Sequence, residues 1–339
     1  MTVRVAINGF GRTGRQFFRA WWLNHRQNFE IVAINGRTPV AMHTHLLKYD
    51  SDYGRFPATI ENGSDSFKVD GHEVTVFQEE DPAKIPWGDA DIDIVVDSTG
   101  AHRDRKSAAK HLRDGVKKVI ISAPAKDEDW MVIMGVNHDE YDPARHHIIS
   151  PGSCTTNCVV PLVKVLHDAF GVERGFMTTI HSYTNDQNLI DRKHKDIRRA
   201  RSAVLNIIPT STGAAEAATR IMPELEGRLT GLAYRVPTST VSVVDLVTDL
   251  AQPASVGAIN EAFQSAASGP MKGFLYVEKE ELVSSDFKDH PGSSIFDLPS
   301  TMVIDGGKMS KTMSWYDNEF GFSLRMADLC ALLVERGLE

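Results

Sequence analysis

The residues most able to do covalent chemistry are Ser153-Cys154-Thr155-Thr156-Asn157-Cys158. The apolar run 148–150 precedes them and a helical pattern follows, so Cys154 is expected at the first turn of a helix. There the helix dipole favours the thiolate, which is the nucleophilic form of cysteine. Ser153 and Thr155 flank it with hydroxyls suited to an anionic oxygen. Cys158, one turn further in, is expected to be a small buried hydrophobe. A sulfur nucleophile needs a base, usually histidine. The chain has 13 histidines, so the mere presence of one decides nothing. His181 has the best setting, in Thr179-Ile180-His181-Ser182-Tyr183-Thr184 at the end of an apolar strand pattern. His43, His45, His146 and His147 are expected at the surface or as satisfied core groups. No H-E-x-x-H spacing occurs and Cys154-x3-Cys158 has no second cysteine pair, so no metal site is expected.

A second constellation, Gly9-Phe10-Gly11-Arg12-Thr13-Gly14, matches G-x-G-x-x-G. The pattern alone is weak, but here Asn8 ends a short apolar strand directly before it and an amphipathic helix follows. Glycine is required there for the tight turn, for backbone approach to a pyrophosphate and for helix–strand packing. The helix N-terminus offers N–H groups and positive dipole to the phosphates. The carboxylate that commonly ends the second strand, and grips the adenosine ribose, is missing: the chain reads Asn35-Gly36-Arg37-Thr38. A carboxylate would repel a 2′-phosphate, whereas Gly36 followed by Arg37 and Thr38 would accept one. The expected cofactor is NADP, with NAD as the alternative.

The elements that must hold these groups follow from the hydrophobic pattern. Up to residue 150, apolar runs at 3–8, 30–35, 92–98, 119–122 and 132–136 alternate with helical patterns at 12–23, 41–48 and 103–113. Such alternation implies a parallel sheet covered by helices. Asn62-Gly63 and Asp70-Gly71 are hairpin signals within 60–77. Beyond Pro151 the character changes. A helix over 155–170 precedes longer strand patterns at 172–182, 229–236, 241–250 and 302–315, the last interrupted by a turn at Gly306-Gly307. Helices are expected near 214–222 and 256–267, and a final one over 319–336. The fold class is α/β: a Rossmann-type parallel-sheet domain plus an α+β catalytic domain. Expected boundaries are 1–153 for dinucleotide binding, 154–318 for catalysis, and 319–339 for a helix returning to the first domain.

Composition narrows the class. The chain has 339 residues, a net charge of −8 and three cysteines. This argues against a nucleic-acid coat or a polybasic membrane patch. An odd cysteine count with two close together argues against a disulfide framework and for a reducing compartment. The opening MTVRVAINGF reads as a strand, so no secretion signal is expected, and no apolar run reaches membrane-spanning length. A cytoplasmic protein is expected.

The motifs taken together resemble phosphorylating glyceraldehyde-3-phosphate dehydrogenases over essentially the whole chain. The blocks carrying the resemblance are INGFGRTGR, HLLKYDS, VDSTG, KKVIISAP, SCTTNC, HSYTNDQ, RRARSA, NIIPTSTGAA, YRVPT, VSVVDL and SWYDNEFGFS. The resemblance implies that Cys154 attacks the aldehyde of glyceraldehyde 3-phosphate, that His181 lowers the thiol pKa and takes the proton, and that inorganic phosphate cleaves the resulting thioester. It assigns Thr184, Asp186 and Arg235 to the substrate phosphate, and Ser153, Thr155, Arg199, Thr212 and Gly213 to the attacking phosphate. Arg12, Thr13, Ser122 and Asn318 match cofactor-contacting positions, with Asn318 on the carboxamide. A homotetramer is implied, in which the charged loop 186–201 reaches a neighbour's cofactor. The chain also departs from the pattern. Gly36 stands where NAD-using members usually carry Asp, and Arg192-Lys193 where Leu-Pro is frequent; two cations there would suit a 2′-phosphate. Glu80 replaces a frequent Arg, and Phe320 and Phe322 replace a Trp and a Tyr. The nearest alternative is erythrose-4-phosphate dehydrogenase, which hydrolyses the thioester; the STGAA block favours phosphorolysis. A non-catalytic nucleotide-binding protein and a papain-like thiol hydrolase are weaker alternatives.

Overall fold

The computed structural model describes residues 2–339. The chain divides into two compact units. One takes in the chain through Met134, His138–Gly152 and Ser323–Glu339; the other takes in Gly135–Asn137 and Ser153–Phe322.

The first unit is built on a nine-stranded sheet. In spatial order its strands are Trp130–Met131, Ile148–Ser150, Lys118–Ile121, Ile94–Asp97, Arg4–Asn8, Glu30–Asn35, His72–Phe77, Ser66–Val69 and Ile60–Asn62. All neighbours are parallel up to His72–Phe77, and the last two strands fold back antiparallel. Ile94–Asp97 and Lys118–Ile121 are buried along their whole length, as a strand covered on both faces must be. The order reverses between Arg4–Asn8 and Ile94–Asp97. Open sheets of this type bind ligands at the carboxyl ends of strands at such a reversal. The helix Arg12–Asn24 buries Phe17, Phe18, Trp21 and Trp22, and Asp70 (φ 45°) with Gly71 (φ 85°) makes the left-handed hairpin turn that the sequence signals.

Two expected elements are corrected. The helix expected over 103–113 is a single α-turn, Arg105–Ala108, followed by a 3₁₀ turn, Ala109–His111. Asp104 caps it from inside the expected range, accepting from the Ser107 N–H at 2.9 Å, and the tightened winding holds the fully buried His111 against the Trp87 N–H at 3.1 Å. The strand expected over 132–136 is instead Trp130–Met131. The chain leaves the sheet afterwards and turns left-handed at Gly135 (φ 84°), where a Cβ would lie 2.7 Å from the Phe274 ring. Within the first unit, the C-terminal segment is held by a His25–Asp328 contact at 2.6 Å and by the Tyr141 hydroxyl donating to the Gly337 carbonyl at 3.0 Å.

The second unit carries an eight-stranded mixed sheet. Its path runs Ile208–Ser211, Leu229–Val236, Val172–Ser182, Ser242–Leu250, Met309–Tyr316, Ser294–Asp297 and Leu275–Glu278, with Met302–Ile304 paired to Met309–Tyr316. Along Val172–Ser182 the side chains alternate faces. Met177, Thr179 and His181 are buried, whereas Phe176 on the other face is 70% exposed. The helix Cys154–Phe170 lies against this sheet with Val159, Val160, Leu162, Val163 and Leu166 buried.

Candidate active site

Two local rules bring Cys154 and His181 together. Ser153 caps the helix, its Oγ accepting from the Thr156 N–H at 3.0 Å, so Cys154 is the first helical residue. The period-two alternation turns His181 to the buried face. Cys154 Sγ lies 3.5 Å from His181 Nε2. His181 Nδ1 is 2.7 Å from the Ser182 carbonyl oxygen, an acceptor, which places the ring proton on Nδ1 and the lone pair on Nε2, facing the sulfur. Tyr316 packs edge-on against this ring at 6.0 Å.

Opposing effects act on the sulfur at this helix start. Burial pushes the Cys154 thiol up; the Arg235 charge and hydrogen bonds from Thr155 pull it back. Burial, then Arg235, pushes His181 down to about 3, so the imidazole is neutral near pH 7 and has a lone pair able to take a proton.

Arg235 arrives by register. It sits directly opposite His181 on the parallel neighbour strand. Its Nη1 lies 3.1 Å from His181 Nδ1 and donates to the Ser182 carbonyl and to Thr184 Oγ1, each at 3.0 Å. Its Nε is buried with no hydrogen-bond partner. Buried polar groups are nearly always satisfied, so this donor is available to a further acceptor. Thr184 donates to Asp186, which accepts from Arg199 Nη1 at 2.7 Å. Burial alone would raise the Asp186 carboxyl, but Thr184 and Arg199 hold it below the usual carboxylate range. Arg199 Nε donates to Thr210 Oγ1 at 3.0 Å. The strand Ile208–Ser211 then runs through Thr212 into the helix Ala214–Ile221, whose N-cap, Gly213, has no side-chain cap and open space where a Cβ would stand. Thr184, Asp186, Arg199 and Arg235 thus form one hydrogen-bonded group with Cys154 and His181, and Arg199 links it to the strand leading into Thr212 and Gly213.

Two of the expected anion-binding hydroxyls are already engaged. Ser153 Oγ bonds the helix start and Thr156 Oγ1 (2.7 Å). Thr155 Oγ1 is buried 2.9 Å from the Tyr316 hydroxyl, which in turn meets Thr179 Oγ1 at 2.8 Å. Capping and core packing set the directions of these two hydroxyls. Asn318 is fixed by Ser242 Oγ donating to its Oδ1 at 2.9 Å. The same Oγ accepts from the Ser182 N–H at 3.1 Å, tying Asn318 to the histidine strand. Sequence reasoning missed this brace. It also placed Val241 in a strand, but Val241 has φ 67° and the strand starts at Ser242. A β-branched residue rarely adopts that conformation. It lets the Val241 carbonyl accept from Ser182 Oγ at 2.7 Å. Tyr316 was also missed, although it lies two residues from Asn318 in the SWYDN block.

In the first unit, the glycine turn has the form a dinucleotide needs. Gly9 (φ 92°) leaves only 2.7 Å between a Cβ and the Thr99 backbone nitrogen, and a Cβ at Gly14 would lie 2.4 Å from the Gly9 carbonyl oxygen. At Gly11 nothing stands within 4 Å. Gly11 is also the N-cap of Arg12–Asn24 and supplies no side-chain cap, so the turn is open where a pyrophosphate would meet the first helical N–H groups. The Arg12 guanidinium pairs with Asp50 and Asp52, each at 3.0 Å. Thr13 and Ser122 are half-buried, and Arg37 and Thr38 are exposed, as are Arg192 and Lys193 in the second unit. Asn8 Nδ2 donates to Asp97 at 2.9 Å, and Asp97 also accepts from Thr99 and meets His102 and His111. Asp97, His102 and His111 lie close enough to hold a metal ion. However, the Trp87 N–H donates to His111 Nδ1, leaving the proton on the Nε2 that faces Asp97. The cluster is a satisfied hydrogen-bond network around a carboxylate.

The parallel sheet, its order reversal and the open glycine turn define a dinucleotide-binding protein. Comparison with known proteins gives the particular kind. Residues 3–105 match the glyceraldehyde 3-phosphate dehydrogenase NAD binding domain, and residues 153–318 match the C-terminal domain of the same enzyme. Glyceraldehyde-3-phosphate dehydrogenase of Geobacillus stearothermophilus is 53% identical over 338 residues, covering 100% of both chains. Glyceraldehyde-3-phosphate dehydrogenase 1 of Bacillus subtilis is 52% identical over 338 residues, with the same coverage. The enzyme of Mycolicibacterium smegmatis is 51% identical over 339 residues, covering 98% of this chain and 99% of its own. The chain belongs to the glyceraldehyde 3-phosphate dehydrogenase family. Among the described residues, no helix is long and apolar enough to cross a membrane.

Proposed function

We propose that the chain oxidises glyceraldehyde 3-phosphate and captures the product as an acyl phosphate, 1,3-bisphosphoglycerate, with Cys154 as nucleophile and His181 as base. The observation that carries this is the 3.5 Å contact between Sγ and a lone-pair-bearing Nε2, beside the unpartnered buried Nε of Arg235. His181 Nε2 takes the Sγ proton as Sγ bonds to the aldehyde carbon and the carbonyl π pair moves to oxygen; the imidazolium then returns that proton to the oxygen, giving a thiohemiacetal and a neutral His181. His181 takes the hydroxyl proton as the carbon–hydrogen bond breaks, and a thioester on Cys154 remains. A nicotinamide dinucleotide, when bound, supplies the two-electron acceptor for the departing hydride. An oxygen of inorganic phosphate then attacks the thioester carbon and expels the sulfur. Arg235, with Thr184 and Asp186, holds the substrate phosphate; Arg199, with Thr212 and Gly213, holds the attacking phosphate, assisted by the helix start carrying Ser153 and Thr155. Arginine suits both tasks because its fork matches phosphate oxygens in fixed geometry.

Asn8, Gly9, Gly11, Arg12, Thr13, Gly14, Ser122 and Asn318 are assigned to the cofactor, and Gly36, Arg37 and Thr38 to its adenosine ribose. NADP, or both cofactors, is the reading favoured there. A Cβ at Gly36 would lie 2.7 Å from the buried His43 ring, so a side chain carrying a discriminating carboxylate there would require that imidazole to shift. Arg192 and Lys193 are assigned to the adenosine end of a neighbouring subunit's cofactor. A homotetramer would cover Leu189, Ile190, Ile197, Leu205 and Ile207, which are strongly exposed here. Residues 1–153 would serve the dinucleotide and 154–318 the chemistry, in a cytoplasmic enzyme. The test is initial rates with NAD and with NADP, each with and without phosphate or arsenate. Turnover that needs no added anion would reject phosphorolysis, and a clear NAD preference would reject the NADP assignment.

A further inference from the structure

The carboxylate missing after the second strand has a counterpart one strand away. Glu30–Asn35 pairs in parallel with His72–Phe77, and Asn35 lies opposite Phe77. The two carboxyl ends are bound together by three hydrogen bonds. The Gly36 N–H donates to the Phe77 carbonyl (2.9 Å), Asn35 Nδ2 donates to the Glu79 carbonyl (2.9 Å), and the Glu79 N–H donates to Asn35 Oδ1 (2.9 Å). Asn35 is buried, so the loop following Phe77 is held against residues 35–37. The Glu79 carboxylate folds back on its own loop, accepting from the N–H groups of Glu80 (2.9 Å) and Asp81 (3.3 Å). Glu80 instead reaches outward, and its Oε1 accepts from Arg37 Nη1 at 2.9 Å.

We propose that Glu80 is a cofactor-discriminating residue: it holds the Arg37 guanidinium and competes with a 2′-phosphate for it. The proposal rests on the dinucleotide reading of the glycine turn. Arg37 is 73% exposed and Glu80 81% exposed. An ion pair in that setting is worth little and exchanges readily, whereas arginine and phosphate can form paired charge-assisted bonds. A ligand with a 2′-phosphate therefore displaces Glu80, but must do so against a nearby negative charge. A ligand with only a 2′-hydroxyl meets no such cost. Glu80 thereby moderates the preference that Gly36 and Arg37 create, and the chain accepts both kinds of dinucleotide.

The test is calorimetric binding of ADP-ribose and 2′-phospho-ADP-ribose to the full chain, with wild type, Glu80→Gln, Arg37→Ala and the double variant. Glu80→Gln is expected to tighten 2′-phospho-ADP-ribose roughly three- to fivefold, the scale of one exposed charge pair plus the repulsion it relieves. ADP-ribose should change less than about twofold, since it lacks the competing phosphate. In the Arg37→Ala background the Glu80→Gln effect should fall to the residual charge repulsion alone, leaving a clear coupling between the two sites. Unchanged 2′-phospho-ADP-ribose binding in Glu80→Gln overturns the proposal, as does an effect of full size without Arg37. If wild type binds both ligands but does not distinguish these variants, the dinucleotide reading stands and the discriminator fails. If folded wild type binds neither ligand, the dinucleotide reading fails and the proposal with it.

Discussion

Replacing His181 with Asn removes two things at once. The first is the proton acceptor: an amide cannot take a proton from the substrate hydroxyl, and loss of a positioned base typically costs roughly 10²–10⁴ in rate. The second is the charge partner that sulfur has once the proton has moved. At the observed 3.5 Å, a thiolate and an imidazolium attract by about 5 kcal/mol at an effective dielectric of about 20. Burial raises the thiol, so this attraction is a principal offset to the cost of forming the anion. The two losses have separate readouts. Turnover at saturating substrate should fall by roughly two to four powers of ten. Alkylation by iodoacetamide, which needs the thiolate but no base during oxidation, should slow at neutral pH and recover only at more alkaline pH. Asparagine keeps much of the volume, so thermal unfolding should confirm an intact fold. If the variant turns over within a fewfold of wild type, His181 is not the base. If turnover falls but the alkylation profile does not move, the sulfur does not depend on the ring, and the electrostatic part of the reasoning is wrong.

Arg235→Leu should raise KM for glyceraldehyde 3-phosphate by about 10²-fold, because a charged hydrogen-bond partner of the phosphate is lost; an unchanged KM in steady-state assays would remove Arg235 from the substrate site. Acid should destabilise the protein through His181. Its folded pKa of about 3 lies below the unfolded value of 6.5, so the unfolded chain binds the extra proton and stability falls as pH drops through that window. By pH 5 the contribution is about 2 kcal/mol. Denaturant titrations from pH 7 to 5 should show this slope, and His181→Asn should flatten it. Gly36→Asp alone should weaken both cofactors and lower Tm, because its Cβ would stand 2.7 Å from the His43 ring. Adding His43→Ala should restore stability and shift preference toward NAD, read from Tm and initial rates; a Gly36→Asp variant as stable as wild type would show that His43 yields easily.

Much of the architecture was legible because it depends on local periodicity. Val172–Ser182 and Leu229–Val236 follow directly from their apolar patterns, and the Asp70-Gly71 hairpin from backbone chemistry. The fold class and the helix start at Cys154 were legible for the same reason. Long-range contacts were not. Nothing in the spacing of Asp97, His102, His111 and Trp87 announces that they share one buried network, or that this network would shorten the helix expected over 103–113. The positive φ of Val241 runs against its own residue preference and follows from the Ser182–Ser242–Asn318 brace. At Cys154 the helix dipole is visible in a sequence, whereas the burial that pushes the thiol up and the Arg235 charge that opposes it are not. His43, expected to be unremarkable, fills the space beside Gly36, a pairing that only three dimensions disclose.

The account centres on Cys154 carrying the acyl group between oxidation and phosphate transfer. The direct measurement is intact-protein and peptide mass spectrometry after mixing enzyme, glyceraldehyde 3-phosphate and oxidised cofactor in phosphate-free buffer, with reduced cofactor followed optically. One acyl group on Cys154 should form per equivalent of cofactor reduced, and vanish when phosphate is added. Reduced cofactor without that adduct, an adduct on another residue, or an undiminished burst in Cys154→Ser would contradict it.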